Sequence, residues 1–526
     1  MKRTYKVRTG REVVEREYNY IPIRYIVAVL IAVSEIAAII GMVILLCYYV
    51  PYFYALCVVI TAACIIRICA SDENPDYKIP WLIVVIFIPI AGFMLYFMFY
   101  SRKLKRRYIK RIRELQSYAY TKDDGDVLSV LTSVDAVAAS QARMLKSISY
   151  SHVFRDTSQT YFPSGEAMWH SILEDLERAE RFILLEYFII EEGTFWNSIL
   201  DVLMRKARDG VDVRVMYDDI GCMSTLPGNY NKILEKYGIK SVIFSKLRGS
   251  ADNEFNNRSH RKILVIDGKI GYTGGINVAD EYVNRKPRFG HWKDTAIRIE
   301  GEAVWELTWL FLSSFGLNSK ALPGIPENAY PECENTKEKG YVIPFGDGPK
   351  PIYRRNVSKC AIQNMIATAT DYVYMTTPYL IIDNDLSADI ERAALRGVDV
   401  RIILPHIPDK KLIFAISRSY YHRLMDAGVK IYEYEPGFIH SKSYVADGKY
   451  AIVGTVNLDY RSLVHHFEDG IWMYNTDSII DIKKDIDKTL EKSIEVSTEM
   501  LKEGIYSRFL TSRVIHSIVR IFAPML

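Results

Sequence analysis

Apolar positions along the chain follow three regimes. Near the N-terminus they come as unbroken runs: Tyr25–Val50 (26 residues), Tyr52–Ile66 (15) and Pro80–Tyr100 (21). The first is long enough to span a bilayer core of about 30 Å as a helix. It carries Glu35, a carboxyl expected to face protein or water rather than lipid. It is too long for a signal peptide and lacks a small-residue cleavage pattern. The second reaches only about 22 Å as a helix. The third is broken by Pro89-Ile-Ala-Gly92. Further along, short β-branched strands such as Tyr187-Phe-Ile-Ile190 and Tyr379-Leu-Ile-Ile382 alternate with helical stretches at Asn197–Asp209 and Leu386–Arg396. That alternation predicts α/β layers. At the C-terminus, Leu510, Val514, Ile518 and Phe522 fall at helical spacing with Arg513 and Arg520 elsewhere. This amphipathic helix either lies on a bilayer or packs on the preceding domain.

The α/β region is duplicated. Gly210-Val-Asp-Val-Arg-Val215 matches Gly397-Val-Asp-Val-Arg-Ile402. The expected organisation is a membrane region over 1–115, a first half over 116–340 and a second half over 341–526 that ends in the amphipathic helix. Pro323–Pro351, rich in Pro, Gly and charge, reads as the linker. The halves are expected to be α/β/α sandwiches related by a pseudo-twofold, sharing one cleft.

Inside the repeat lies a stricter one. His260-x-Lys262-x4-Asp267-x6-Gly274-Gly275-x-Asn277 recurs as His440-x-Lys442-x4-Asp447-x6-Gly454-Thr455-x-Asn457. Five fixed positions recur by chance roughly once in a few million starts. Each copy predicts a β-hairpin closed by an Asp-Gly turn. A two-residue turn places His260 opposite Gly275 and His440 opposite Thr455, leaving room for a phosphate. His and Lys, two apart, share one face of the strand.

These residue types suit displacement at a phosphodiester. Two imidazoles supply a nucleophile and an acid near neutral pH. Two lysines stabilise charge that builds on the non-bridging oxygens. Asn277 and Asn457 can donate further hydrogen bonds there. This set needs no metal or other cofactor, and no Cys/His cluster has zinc spacing. His152, His170, His406, His422 and His516 have no partner pattern, whereas His465 and His466 fall near the second motif.

Charge narrows the setting. Net charge is only +4 over 526 residues. The basic excess flanks the apolar runs, at Lys2–Arg24 and Arg102–Arg113, rather than forming a nucleic-acid surface. Both flanks favour the cytoplasm, which requires an even number of crossings from three apolar runs. One run, the second or the third, is therefore re-entrant or in-plane. The run at 101–113 is either a stop-transfer flank or a binding site for anionic headgroups. Seven scattered cysteines, four of them in apolar segments, fit a reducing compartment.

The paired motifs resemble the HKD signature of the phospholipase D superfamily. Asp280, Tyr282, Trp292-Lys-Asp294 and Arg298-Ile-Glu-Gly301 follow the first copy; Asp459, Arg461-Ser-Leu463 and Glu468 follow the second. With the apolar N-terminus, the chain resembles bacterial cardiolipin synthases of that superfamily. The resemblance implies His260, Lys262, Asp267, His440, Lys442 and Asp447 as the catalytic set, with His260 as nucleophile and His440 as acid and then base. Asp267 and Asp447 sit in turns and read as structural members of it. The family also places a carboxylate about thirty residues downstream to orient each histidine, which implies Asp294 for the first motif and Glu468 for the second. The implied substrates are phosphatidylglycerol and other anionic phospholipids at a cytoplasmic-membrane surface. The implied reaction is phosphatidyl transfer giving cardiolipin and glycerol. A membrane-bound hydrolase releasing phosphatidic acid uses the same residues, with water as second nucleophile. Oligomeric state is not legible.

Overall fold

The computed structural model describes residues 2–9, 12–19, 23–49, 51–88, 91–97, 110, 114, 124–246, 256–319, 324–326, 329, 338–503 and 519–525. The basic run at 101–113, apart from 110, and most of the amphipathic stretch at 508–526 lie outside them.

An antiparallel pair, Lys2–Thr9 with Glu12–Asn19, precedes helices Ile23–Tyr49, Pro51–Cys69 and Pro75–Phe87. Two of these are long and apolar enough to cross a membrane, through Val29–Leu46 and Tyr52–Cys69. The second helix outruns the 15-residue apolar stretch and includes Arg67, whose guanidinium lies over the Phe97 ring, 5.5 Å away. Glu35 is exposed on the first. The third is only 13 residues long, with Pro80 inside it. It starts where Asn74 accepts a hydrogen bond from the Asp76 amide, and it packs through Trp81 and Val85 against Cys64 and Ile68. Its first turn also docks on the second half. Asn74 Nδ2 donates to Asp383 at 2.9 Å, the Asn384 amide donates to Asp76 at 2.6 Å, and the Tyr77 ring lies 5.3 Å from His465.

Two mixed sheets follow with the same internal order. The first runs Ser158–Phe162, Ala296–Glu300, Ile270–Gly274, Lys262–Ile266, Phe182–Tyr187, Asp212–Asp218, Lys240–Phe244. The second repeats it as Tyr341–Asp347, Glu468–Tyr474, Tyr450–Gly454, Ser443–Ala446, Tyr372–Thr376, Asp399–Pro405, Lys430–Tyr434, and adds Phe154–Arg155 and Ser493–Glu495 at its edges. The last three strands of each seven run parallel, joined by helices that include Thr194–Arg208 and Asn384–Leu395. Those helices stand within a few residues of their expected positions. The inner faces meet in one core, where Leu184, Ile263, Val265 and Ile297 share a cluster with Val445, Ala451, Val453 and Ile471 and with helix Val304–Asn318. Helices cover both outer faces.

Three expectations about the chain are corrected. The stretch expected as linker contains the fully buried strand Tyr341–Asp347. Its Pro344 lies beyond Tyr341 and Val342, the two residues paired with Phe154–Arg155, so that edge asks no further amide of the strand. Helices Gly125–Val134 and Ala136–Ser149, inside 116–340 by sequence, contribute Leu131, Ala138, Ala142 and Leu145 to the core of the second half.

The third correction is the hairpin register. Asp267 and Gly268 both adopt positive φ, 54° and 68°, as do Asp447 and Gly448, and the Lys269 amide closes the turn on Ile266. Pairing then resumes one residue later, with Ile266 opposite Ile270 and Leu264 opposite Tyr272; Ala446 opposite Tyr450 repeats this. One extra residue is bulged in each hairpin. His260 is therefore not opposite Gly275, nor His440 opposite Thr455.

Candidate active site

Each half delivers its histidine just before the hairpin's first strand, onto the seam between the halves. There the backbones cross-link. The His260 amide donates to Phe467 O at 2.8 Å and the Phe467 amide to Arg258 O at 2.8 Å. The His440 amide donates to Lys293 O at 2.7 Å, and His291–Lys293 pairs in parallel with Gly437–Ile439. Phe467 and Lys293 immediately precede Glu468 and Asp294. The seam thus hands each carboxylate to the histidine of the other half.

The side chains follow. His260 Nδ1 lies 3.0 Å from both oxygens of Glu468. His440 Nδ1 lies 2.6 Å from Asp294 Oδ2. The sequence reading put both carboxylates in the site but paired each with its own motif. That pairing is corrected, because Lys293 and Phe467, the residues just before the two carboxylates, are hydrogen-bonded across the seam to the histidines of the other half.

Gly275 and Thr455 serve this carboxylate pair. A Cβ on Gly275 would stand 2.0 Å from Asp294 Oδ1 and 3.0 Å from His440 O. The Thr455 hydroxyl donates to Glu468 Oε2. The space beside Gly275 is therefore filled by Asp294 rather than left for a phosphate. Lys262 Nζ donates to His260 O at 2.6 Å, and Lys442 Nζ donates to His440 O. Lys442 Nζ is also 2.8 Å from His440 Nδ1. That nitrogen serves one partner at a time, and as an N–H donor it serves Asp294. Asn277 is committed on both ends: Oδ1 accepts from the Ile189 amide at 3.0 Å and Nδ2 donates to Tyr282 Oη at 2.8 Å. Only one of its N–H bonds remains for a ligand. Asn457 Oδ1 is buried without a partner among the described residues. Asp267 and Asp447 lie away from the cleft. Asp267 accepts the amides of Glu180, Arg181 and Phe182, and Asp447 those of Thr370, Asp371 and Tyr372. Each pins a hairpin turn to the start of the neighbouring strand.

Burial sets the protonation. Both histidines are 7% exposed. Burial pushes His260 down to about 3, against the pull of Glu468, and His440 down to about 4, with Lys442 adding to the drop. Burial likewise pushes Lys262 down to about 8 and Lys442 to about 7. Burial alone would raise Glu468, but His260 beside it holds the carboxyl well below the usual range. Asp294 is held low by His440 and Lys442, also against its burial. The ground state thus pairs neutral imidazoles with ionised carboxylates, with each Nδ1–H donated inward.

The two rings open on a cleft of about 590 Å³. Its lining combines His260, His440, Asn277, Asn457 and His466 with an apolar wall of Phe188, Ile189, Phe289, Trp292, Tyr379, Ile381, Ile413 and Phe438. Tyr460 and Ala523 also line it. In the sequence Tyr282, Trp292 and Asp459 are legible only as motif flanks, and His466 only as a neighbour of the second motif. The apolar wall comes from both halves, so no local periodicity marks it. Residues 519–525 pack here as a short tail, with Ala523 buried and Arg520 over the Tyr420 ring at 4.6 Å.

The sequence profile described as "Cardiolipin synthase, PLD-like domain" matches residues 172–289 and 362–492, one segment in each half. The profile described as "Phospholipase_D-nuclease N-terminal" matches 53–99. A cardiolipin synthase of Geobacillus sp. (strain WCH70) is 34% identical over 474 residues, covering 89% of this chain and 92% of that one. Cardiolipin synthase 2 of Bacillus anthracis is 32% identical over 459 residues, 87% and 88% of the two chains. An uncharacterized protein of Streptococcus mutans serotype c is 42% identical over 457 residues, 85% and 96%. Among solved structures, phosphatidylserine synthase of Haemophilus influenzae Rd KW20 shares the fold, with a TM-score of 0.58 at 13% identity over 74% of this chain and 99% of that one. Two duplicated sheets with one His-Lys hairpin each make this a phospholipase D-type fold. The chain belongs to the cardiolipin synthase family, phosphatidyltransferases of the phospholipase D superfamily.

Proposed function

We propose that the chain transfers a phosphatidyl group from one phosphatidylglycerol to another, giving cardiolipin and glycerol through a phosphatidyl-histidine on His260. The observation that carries this reading is the crossed pair: two imidazoles on one cleft, each with Nδ1 held by a carboxylate of the opposite half. That tautomer leaves Nε2 of His260 with its lone pair. Nε2 attacks phosphorus, the bond from phosphorus to the glycerol oxygen breaks, and His440 gives that oxygen a proton. The hydroxyl of a second phosphatidylglycerol then gives its proton to His440 and attacks phosphorus, and the phosphorus–nitrogen bond breaks. A phosphodiester anion between the rings raises both imidazole pKa values, so His440 gains the proton it donates. Lys262, Lys442 and the free N–H bonds of Asn277 and Asn457 stabilise the phosphoryl oxygens. The apolar wall suits a diacylglycerol body and limits water at the intermediate.

In the membrane, helices Ile23–Tyr49 and Pro51–Cys69 make two crossings and Pro75–Phe87 makes none. This places both basic flanks and the catalytic halves on the cytoplasmic face. Cysteine labelling in intact cells at positions 8, 73 and 120 tests it, and external reactivity at position 73 or 120 refutes it.

The chemistry is tested by trapping. Labelled phosphatidyl-enzyme is expected to accumulate on His440→Ala and to be absent from His260→Ala; the reverse pattern assigns the nucleophile to His440. Product analysis with labelled phosphatidylglycerol is expected to give cardiolipin and glycerol, whereas phosphatidic acid alone identifies a hydrolase.

A further inference from the structure

The transfer chemistry leaves one buried side chain at the cleft unused. His466 is 9% exposed, and both its ring nitrogens are buried without a hydrogen-bond partner among the described residues. With only the Glu468 carboxylate, beyond hydrogen-bond range, near Nδ1 and nothing among the described residues on Nε2, the buried ring carries a desolvation cost that a ligand would relieve. The ring sits 5.8 Å from the His260 ring, centroid to centroid, and Nδ1 lies 3.7 Å from Glu468 Oε1. Both neighbours therefore stand on the His260 side of the site. His260, His466 and Glu468 each offer one ligand atom, and the three atoms lie within 4.8 Å of one another.

We propose that these three side chains form a binding site for a zinc-class divalent ion, and that the ion holds the enzyme inactive. Two imidazoles and one carboxylate are a zinc donor set that leaves a fourth position open. Bonds of about 2.0–2.2 Å on tetrahedral geometry need donor atoms about 3.4 Å apart, so the cluster closes by a little over 1 Å at its widest. Thr455 holds the far oxygen of the carboxylate as an outer-shell partner. His260 binds through a lone pair, so coordination through Nδ1, the nitrogen facing Glu468, moves the ring proton to Nε2. No electron changes hands. With its proton on Nε2, His260 has no lone pair to attack phosphorus. This inhibition rests on the proposed role of His260; the site itself does not.

The test uses the full-length enzyme in detergent, its affinity tag removed, with the metal alone as probe. Cobalt(II) is expected to give the intense visible bands of a tetrahedral site at one equivalent, and zinc(II) to displace it. His466→Asn and His466→Ala are each expected to weaken cobalt binding by about 100-fold or more. Unfolding midpoints of both variants separate loss of a ligand from loss of fold. A measurement on the wild type alone stands beside them: zinc is expected to protect His260 and His466 from diethyl pyrocarbonate. Absent bands in the wild type, bands of unchanged affinity in both variants, or no protection overturns the site. Trapping of phosphatidyl-enzyme on His440 would instead remove the nucleophile assignment and leave the cobalt spectrum in place.

Discussion

The two histidines are related by the duplication but live in different surroundings. His440 is ringed by aromatics: Tyr282 at 5.4 Å, Trp292 at 5.5 Å and Phe438 at 5.9 Å between centroids. His260 meets Phe188 at 5.2 Å and the imidazole of His466 at 5.8 Å. Its carboxylate partner presents two oxygens at equal distance, while Asp294 presents one. The position after the repeated glycine, Gly274 or Gly454, is Gly275 on one side and Thr455 on the other. The duplicated motifs therefore share one geometry in unequal surroundings: His260 has a second imidazole beside it, and His440 is ringed by aromatics. Under the proposed mechanism the first side carries the nucleophile and the second receives the lipid alcohol.

The sharpest way to break this comparison is to remove each carboxylate. Glu468→Gln is expected to lower transfer by about 100-fold to 10,000-fold and to abolish labelling of His260. Asp294→Asn is expected to slow both formation and breakdown, because His440 gives the proton in one step and takes it in the other, while His260 keeps its lone pair and still carries the label. If each carboxylate served its own motif, the two phenotypes would exchange. Trapping experiments on the pair decide between them.

Acid should weaken both sides together. Both imidazoles titrate near 6.5 when unfolded and near 3 or 4 when folded. Between those values the unfolded chain binds more protons, so stability is full above pH 6.5 and falls as pH drops through the window. From pH 7 to pH 5 the loss is about 2 kcal/mol per histidine. His260→Asn and His440→Asn should each make the fall in thermal midpoint between these pH values smaller. An unchanged fall in either variant would show that its imidazole is not buried as a neutral base.

How much of this was legible beforehand depended on whether a feature is local. The hairpins, the helices near 194–208 and 384–395 and the structural use of Asp267 and Asp447 follow from turn chemistry and periodicity. The carboxylate exchange does not, because Glu468 reaches a histidine 208 residues away through a seam of backbone hydrogen bonds. Spacing arithmetic favoured the nearer histidine. The register slipped for a similar reason. Asp-Gly signals the turn, but nothing in the sequence marks the bulged residue after it. Strand Tyr341–Asp347 was hidden by Pro344 and Gly346, residues that punctuate loops unless an unpaired sheet edge takes the proline. His466 was visible as a residue near the motif, but its bare nitrogens are a property of packing.

The Gly275–Thr455 difference gives two further tests of unequal size. Gly275→Ala puts a methyl carbon where Asp294 Oδ1 and His440 O already stand, so Asp294 must move. The expected cost is about 2–3 kcal/mol in stability. Turnover falls because both steps use His440, while His260 keeps the lone pair that accepts a phosphatidyl group. Calorimetry and trapping on the same variant check both parts.

Thr455→Val is the mildest change, because it keeps the shape and removes only the hydroxyl. Glu468 loses one of the donors that orient it, and the Asp469 amide loses its 3.0 Å bond to Thr455 Oγ1. The expected cost is about 1–2 kcal/mol. Formation and breakdown of the phosphatidyl-enzyme should both slow, because the bond between phosphorus and His260 forms in one step and breaks in the other. Single-turnover rates of the two steps, measured separately, check this, and an unchanged rate in either step would mean that Glu468 does not orient His260 there.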